Sequence, residues 1–283
     1  MAPTQGDEAA TPGLAPLAER NPVLIERHGR FATITIDDPG RRNALSLSTI
    51  RRLTAAFTAV GESDVEGVIL AATGPVFSAG HDFTELAGAD LATARTLFAT
   101  CTQLMHTIQA IPQPVVARVH ALATAAGCQL VASCDLAVAA EGAAFAIPGG
   151  KGGLFCHTPL VALVRAVGRK RALEMAFTGD PIDAGLAEEW GLVNRTVPSD
   201  QLDATVQDLI ERACRGSMLS RGLGKHAFYA QVDLDQEKAY AVAVEVMAAA
   251  AVTPDAQEGI AAFLEKRPAT YPAPSAPAAT PGE

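Results

Sequence analysis

The feature that most constrains the fold is the alternation of short, strongly apolar runs with longer amphipathic segments. Residues 65–71 and 115–119 are apolar runs of strand length, and the second is rich in β-branched side chains. Between them, residues 91–111 place apolar side chains at helical spacing until Pro112 ends the helix. Strands alternating with helices predict an α/β core, and the mostly helical pattern from Pro159 onward predicts a helical C-terminal section.

The other predicted elements complete this organisation. They are a β-hairpin at residues 23–27 and 31–36, a helix at 46–60, a helix beginning within 124–127, and strands near 135–139 and 143–147. We predict four regions: a disordered tail at residues 1–20, an α/β core at 21–200, a helical region at 201–268, and a disordered tail rich in Pro and Ala at 269–283.

Composition disfavours several classes of function. The formal charge of −9 argues against general binding to nucleic acids and anionic membranes, since both need an excess of Lys and Arg. Five cysteines without a CxxC pair and six histidines without HxxxH or HExxH spacing predict free thiols and no metal site. The first 20 residues carry acidic side chains and lack a basic segment followed by an apolar stretch, so we expect a cytoplasmic protein.

Two turn segments are suited to binding an anionic oxygen. In the segment 77–83 an apolar strand leaves through Gly80, and in the segment 123–130 small residues lead into a helix. Both turns can bring backbone N–H groups close to a ligand, and a helix N-terminus favours negative charge. Two such donors would form an oxyanion hole for an enolate-like thioester. Ordinary tight packing at a strand–Gly–helix junction remains the alternative.

Five motifs follow one another along the chain. They are PGRRNALS at 39–46, FSAGHD at 77–82, AAGCQL at 125–130 ahead of Cys134-Asp135, the segment 165–179, and the segment 258–267. Their order and spacing resemble the crotonase (enoyl-CoA hydratase/isomerase) family over residues 23–268. Residues 123–135 and 153–156 look similar to one subgroup, the enoyl-CoA hydratase domain-containing protein 3 proteins.

The resemblance implies a fold, a ligand and an assembly. The fold would be a ClpP/crotonase-like spiral of ββα units with a helical C-terminal section, in which residues 201–268 form trimers or dimers of trimers. The ligand would be an acyl-CoA thioester, with coenzyme A entering as part of the substrate and no cofactor bound permanently. The two oxyanion donors would be the backbone N–H groups of His81 and Ala126.

The resemblance also implies where coenzyme A would lie. Its nucleotide end would run along Arg41, Arg42, Ala44, His81, Asp82, Phe83 and Thr84. Phe263 and Lys266 match positions that reach the coenzyme A of a neighbouring subunit. Arg41, Arg42 and Lys266 would supply the positive charge that phosphates need on an acidic chain. The alternative is that the arginines are solvated and that the C-terminal helix is frayed.

The sequence departs from the family at both acid positions of its hydratases. Gln129 stands where the first glutamate is expected, and its amide does not titrate near neutral pH. Gly149 stands at the second acid position and leaves it vacant. His157 is the preferred substitute for moving a proton, because histidine titrates near neutrality, although a lone histidine beside a helix start is often structural.

We therefore expect an acyl-CoA-binding protein of fatty-acid or related acyl-CoA metabolism that polarises a thioester carbonyl without the usual hydration machinery. Two other hypotheses stay open. One is a non-catalytic acyl-CoA sensor, carrier or regulatory protein, and the other is a true hydratase whose acids are displaced. Turnover of crotonyl-CoA separates the two.

Overall fold

A computed structural model describes residues 21–271, so the predicted tail at 1–20 lies outside the described residues. Of the predicted tail at 269–283, residues 269–271 are described, and the Thr270 N–H donates to Glu258 Oε1 at 2.8 Å. In this part of the chain no single helix is long and apolar enough to cross a membrane. One pair of helices, Gln236–Ala251 and Pro254–Glu265, meets the length and composition criteria only when joined across a 72° bend.

Nine strands form two sheets within residues 21–271. They are β1 (Val23–His28), β2 (Phe31–Ile36), β3 (Gly67–Ala72), β4 (Val115–Val119), β5 (Ala123–Thr124), β6 (Leu136–Ala140), β7 (Ala144–Ala146), β8 (Ile182–Asp183) and β9 (Arg195–Val197). The larger sheet has the order β1-β2-β3-β4-β6-β9 and is parallel except for the β1–β2 hairpin. The smaller sheet has the order β5-β7-β8.

Ten α-helices lie in the same part of the chain. They are α1 (Leu47–Gly61), α2 (Leu91–Ala110), α3 (Ala126–Ser133), α4 (His157–Val167), α5 (Arg169–Thr178), α6 (Ala184–Trp190), α7 (Leu202–Ala213), α8 (Met218–Gln231), α9 (Gln236–Ala251) and α10 (Pro254–Glu265). Side chains set where the first two begin. Ser46 Oγ accepts the Thr49 N–H at 3.1 Å, and Asp90 Oδ1 accepts the Thr93 N–H at 2.8 Å.

Both faces of the larger sheet are covered. Val115 and Ala117 of β4 pack into the main core together with α1 and α2, whereas Val116 and Val138 face α7 on the other side. Parallel strands buried on both faces read as continuous apolar runs, which is the pattern of residues 115–119. The predicted α/β core with a helical C-terminal section is confirmed.

A buried ion pair fixes helix α8 to this core. Lys225 Nζ lies 2.7 Å from Asp135 Oδ2 and donates to the carbonyl oxygens of Ile108 and Gln113 at 2.9 and 2.8 Å. Asp135 also accepts the Tyr229 hydroxyl at 2.8 Å. Each of the three ammonium donors of Lys225 therefore has an acceptor. Helix α8 is held where α2 ends and β4 begins.

Candidate functional site

The turn that contains His81 lies beside the segment preceding α1. The Leu45 N–H donates to the Gly80 carbonyl at 2.8 Å, and the Leu45 carbonyl accepts the Asp82 N–H at 3.5 Å, which makes a parallel bridge between Leu45 and His81. Gly80 and Asp82 make the two hydrogen bonds to Leu45. The residue between them, His81, therefore turns its own N–H away from Leu45. Among residues 21–271, the His81 N–H donates to no protein acceptor.

The second turn is packed directly against the first. A Cβ atom on Gly80 would lie 2.9 Å from the Thr124 carbonyl oxygen and 3.0 Å from the Ala126 nitrogen, and the φ of Gly80 is +81°. A Cβ on Gly127 would lie 2.6 Å from the Ser78 carbonyl oxygen. Side chains at these two positions would separate the turns. Glycine at both therefore allows the two predicted donor segments to meet.

The entry to helix α3 carries a strained backbone. Ala125 has φ of 50° and ψ of −119°, a conformation that residues with a Cβ rarely adopt, and its N–H donates to the Ala146 carbonyl at 2.8 Å. Such strain costs about 1–3 kcal/mol and is concentrated at functional sites. Its effect here is a sharp start to the helix, so that Ala126 is the first residue of α3 and its N–H has no intrahelical acceptor.

An apolar cavity of about 150 Å³ opens beside the two turns. Its wall includes Leu86, Phe98, Leu154, Phe155 and Pro159. Five of the predicted site residues also line it, namely His81, Phe83, Ala126, Gly149 and His157. An apolar cavity of roughly this size holds a benzene molecule in an engineered protein, so a short acyl group has room here.

The side chain of His81 lines the cavity as well, a feature that the sequence analysis did not use. Its ring meets the Phe98 ring edge to face, with centroids 5.2 Å apart. Nδ1 lies 3.4 Å from the Leu45 carbonyl oxygen, and Nε2 is buried without a hydrogen-bond partner among the described residues. Burial lowers the pKa of His81, and the contact with the Leu45 backbone opposes that shift only in part. The imidazole is neutral at pH 7.

The two expected acid positions differ sharply from glutamate sites. Gln129 is buried, its Oε1 atom has no partner among the described residues, and it is not part of the cavity wall. A Cβ on Gly149 would lie 2.1 Å from the Leu154 carbonyl oxygen and 2.7 Å from Cys156 Sγ. Main chain and a thiol therefore fill the space that a side chain at 149 would need.

Two carboxylates that follow His81 in the chain, Asp82 and Glu85, have structural partners. Asp82 accepts the Thr84 N–H at 3.0 Å and the Thr84 hydroxyl at 2.8 Å, and pairs with Arg41. Burial raises the pKa of Asp82, but these bonds outweigh it and hold that pKa below the usual range. Glu85 Oε2 accepts the Leu47 N–H at 2.8 Å and so caps helix α1.

The predicted proton-transfer residue His157 and the nearby Lys151 lie at the solvent side. His157 is exposed, and its ring packs at 5.4 Å against Phe155. Lys151, next to the vacant position, pairs with Asp180 at 2.6 Å in solvent. Within residues 21–271, no group of three or more His, Cys, Asp or Glu side chains is placed to hold a metal ion.

The predicted coenzyme A residues lie in two separate parts of the chain, residues 41–84 and the end of helix α10. Arg42 is exposed, Ala44 is half-buried, and Phe83 stands 65% exposed at the edge of the cavity. Phe263 is 82% exposed near the end of α10, and Lys266 directly follows that helix. Neither Phe263 nor Lys266 lines the cavity of the same chain.

Comparisons with known proteins agree with this architecture. The sequence profile described as Enoyl-CoA hydratase/isomerase matches residues 26–273. The rat protein named mitochondrial enoyl-CoA hydratase domain-containing protein 3 is 47% identical over 254 residues, covering 89% of this chain and 85% of that protein. An enoyl-CoA hydratase crystal structure from Mycobacterium smegmatis has 45% identity and a TM-score of 0.86, covering 89% of this chain and 99% of the other.

The crystal structure of human enoyl-CoA hydratase domain-containing protein 3 has 41% identity and a TM-score of 0.85, covering 88% of this chain and all of that one (100%). These similarities confirm the crotonase fold and the subgroup predicted from the motifs. They contradict the predicted cytoplasmic location, because the rat and human relatives are named mitochondrial. That prediction was wrong because it rested on the composition of residues 1–20, which does not determine a compartment.

Proposed function

The chain belongs to the enoyl-CoA hydratase/isomerase family, within the domain-containing protein 3 subgroup, and from this premise we propose that it binds an acyl-CoA thioester and polarises its carbonyl group. The observation that carries the proposal is the close packing of the Gly80 turn against the first turn of α3, next to an apolar cavity. The backbone N–H groups of His81 and Ala126 are the oxyanion donors, and the positive end of the α3 dipole adds to their field.

The cavity takes the acyl chain. Its wall is almost wholly apolar, so transfer of a short hydrocarbon chain from water into it is favourable at about 25 cal/mol per Å² of buried apolar surface. Coenzyme A is part of the substrate, and no permanently bound cofactor is required. The physiological setting that fits such a ligand is fatty-acid or related acyl-CoA metabolism.

The nucleotide end of coenzyme A lies along the surface next to the cavity. Arg42 is exposed there and directs its charge to solvent, whereas Arg41 is already paired with Asp82. We assign Arg42 to the phosphates and Arg41 mainly to ordering the turn. Ala44, Phe83 and Thr84 flank the same path.

A homotrimer or a dimer of trimers completes the proposal. Large apolar side chains are exposed on two C-terminal helices, among them Tyr240 and Met247 on α9, and Phe263 and Leu264 on α10. Apolar patches of this kind mark protein–protein contacts. Such an assembly would bring Phe263 and Lys266 to the coenzyme of a neighbouring subunit. Mass measurement in solution tests it: three or six chains of 29.2 kDa are expected.

The chemistry does not include hydration by the usual glutamate pair. Gln129 cannot accept a proton from water, and the backbone of Leu154 occupies the space beside Gly149. The same observation favours a second candidate function, a non-catalytic acyl-CoA-binding or regulatory protein. The two candidates differ in turnover, because both bind the thioester and only the first converts it.

Calorimetry with two matched ligands tests the proposal. Butyryl-CoA and its thioether analogue share the chain and the nucleotide, but only butyryl-CoA has a carbonyl oxygen. Two hydrogen bonds to that oxygen contribute about 0.5–1.5 kcal/mol each, so butyryl-CoA should bind about tenfold more tightly. Equal affinity for the two ligands would rule out the oxyanion pocket. The lack of saturable binding to either ligand would rule out the proposed function.

A further inference from the structure

The cavity contains one titratable group that is both buried and unused by the surrounding protein. Three groups that ionise line the wall: His81, Cys156 and His157. His157 lies exposed at the rim. Burial raises the pKa of the Cys156 thiol, and a hydrogen bond with the Gly149 backbone opposes this only in part, so the thiol stays protonated. His81 is the remaining candidate.

Hydrogen bonding decides which nitrogen of His81 is free. A backbone carbonyl only accepts, so Nδ1, which lies 3.4 Å from the Leu45 carbonyl oxygen, carries the proton in the neutral ring. Nε2 then has an unshared electron pair, and it is buried without a partner among the described residues. The edge-to-face contact with Phe98 holds the ring in this orientation. The arrangement leaves an unpaired proton acceptor on a residue that lines the cavity.

The surroundings keep this acceptor unprotonated at neutral pH. Burial lowers the pKa of His81 below the ordinary value of 6.5. The adjacent carboxylate, Asp82, is compensated by Arg41 and by bonds from Thr84. Helix α3, which packs beside the cavity, carries no charged side chain, and no Asp, Glu, Lys or Arg lines the cavity wall. No anion is therefore available at the wall to stabilise the imidazolium in the empty site.

We propose that the imidazole of His81 is the catalytic base of this cavity and removes a proton from the α-carbon of the bound acyl-CoA. The inference rests on the proposed function, since the backbone N–H groups of His81 and Ala126 hold the thioester oxygen while the proton moves. The α C–H bond breaks, its electron pair forms the enolate, and the proton joins Nε2 to give the imidazolium. The imidazolium exchanges its Nε2 proton with solvent water, and the reverse step returns a solvent-derived proton from Nε2 to the same carbon. No other reactant is needed.

Gln129 and Gly149 stand where the family's hydratases carry glutamates, so proton removal falls to another base, and His81 can serve as that base. The charge that develops on the thioester oxygen is met by the two N–H donors, and the charge on the imidazolium is met by the enolate itself. A base in an apolar cavity whose lone pair is not engaged by the protein is suited to general base catalysis when the substrate comes within hydrogen-bond reach. From the sequence alone, His81 is a candidate only through its backbone N–H, and His157 is the candidate for proton transfer.

Exchange of the α-protons of butyryl-CoA in D₂O, followed by NMR, tests this inference. The wild-type protein should exchange them well above the rate of the free thioester. The rate should rise with pH as His81 deprotonates and level off above a midpoint below 6.5. His81→Phe keeps the backbone donor and the ring packing but removes both nitrogens. Since a positioned general base contributes about 10²–10⁴-fold, exchange should fall at least a hundredfold.

Control variants make the outcomes distinct. His106→Phe makes the same substitution on an exposed histidine of α2 outside the cavity and should leave exchange unchanged. His81→Phe should still bind butyryl-CoA in calorimetry. Exchange that persists in His81→Phe, or that is lost in His157→Phe instead, would overturn the inference. Wild-type protein that binds but does not exchange would overturn it while sparing the proposed function. Wild-type protein that does not bind would overturn both.

Discussion

Introducing glutamate at position 149 tests whether the missing acid can simply be restored. A Cβ there would lie 2.1 Å from the Leu154 carbonyl oxygen and 2.7 Å from Cys156 Sγ. The carbonyl belongs to the backbone, and the Leu154 N–H is itself bonded to the Gly149 carbonyl at 3.0 Å, so the Leu154 carbonyl does not move without breaking the turn. Gly149→Glu therefore requires the loop to open.

The cost follows from two contributions. Overpacking of this kind costs about 1–3 kcal/mol. Placing a carboxyl group beside an apolar cavity without a partner adds about 1–3 kcal/mol. We expect the free energy of unfolding in urea to fall by about 2–6 kcal/mol, with little change in its slope against denaturant.

Gly152→Glu is the matched control, because it adds the same charge in the same loop where a Cβ meets nothing within 4 Å. Its effect should stay within about 0.5 kcal/mol. Gln129→Glu/Gly149→Glu should also fail to hydrate crotonyl-CoA, measured by the loss of enoyl absorbance. A double variant as stable as the wild type and active in hydration would refute the reasoning, since the acid position would then be merely empty and not filled.

Three further predictions concern the turn, the core and the C-terminus. Gly80→Ala should weaken butyryl-CoA binding by roughly tenfold or more in calorimetry, because the new methyl group separates the two donor segments. Lys225→Met should lower the free energy of unfolding by about 3–5 kcal/mol in urea, because it leaves Asp135 buried without its cation. The pKa of Glu258 is held at about 2, well below its ordinary 4.5, by hydrogen bonds from Arg267 and the Thr270 N–H. That local stabilisation is complete above pH 4.5 and lost as pH falls towards 2, so the protection of the Thr270 amide, measured as its exchange rate relative to an unstructured peptide at the same pH, should fall in that range.

Each of these predictions has a control in the same chain. Gly224→Ala adds a methyl group where a Cβ meets nothing within 4 Å and should leave binding unchanged. Lys238→Met removes an exposed lysine paired with Asp235 and should alter stability by less than about 1 kcal/mol. Equal effects of the test and control variants would contradict the structural argument. Glu258→Gln should make the exchange rate of the Thr270 amide nearly independent of the carboxyl titration.

Much of the fold was predictable because its signals are local. The apolar runs at β3 and β4, the helical spacing of α2 and the Ser46 cap each depend on a few neighbouring residues. Strands β8 and β9 were missed, since two or three residues are too few to show a pattern. Strand β9 is added to the sheet by its pairing with β6, far away in sequence.

For the candidate site, only backbone features could be addressed from the sequence. Gly80 and Gly127 stand where the two turns approach each other closely, and the assignment of the His81 and Ala126 N–H groups as donors stays a prediction. The side-chain environment was not accessible, because burial and free lone pairs depend on packing between distant segments. The sequence could not show that the Leu154 carbonyl fills the space at Gly149. Nor could it show that the ring of His81 faces the cavity against Phe98.

The central claim is that the protein holds and polarises a thioester carbonyl. Difference infrared spectroscopy of butyryl-CoA labelled with ¹³C at the carbonyl tests it most directly, since hydrogen bonds from His81 and Ala126 weaken the C=O bond. We expect the bound carbonyl to absorb at lower frequency than the free thioester, and we expect Gly80→Ala to abolish this shift. A bound ligand whose carbonyl frequency equals that in water-free solvent would contradict the account.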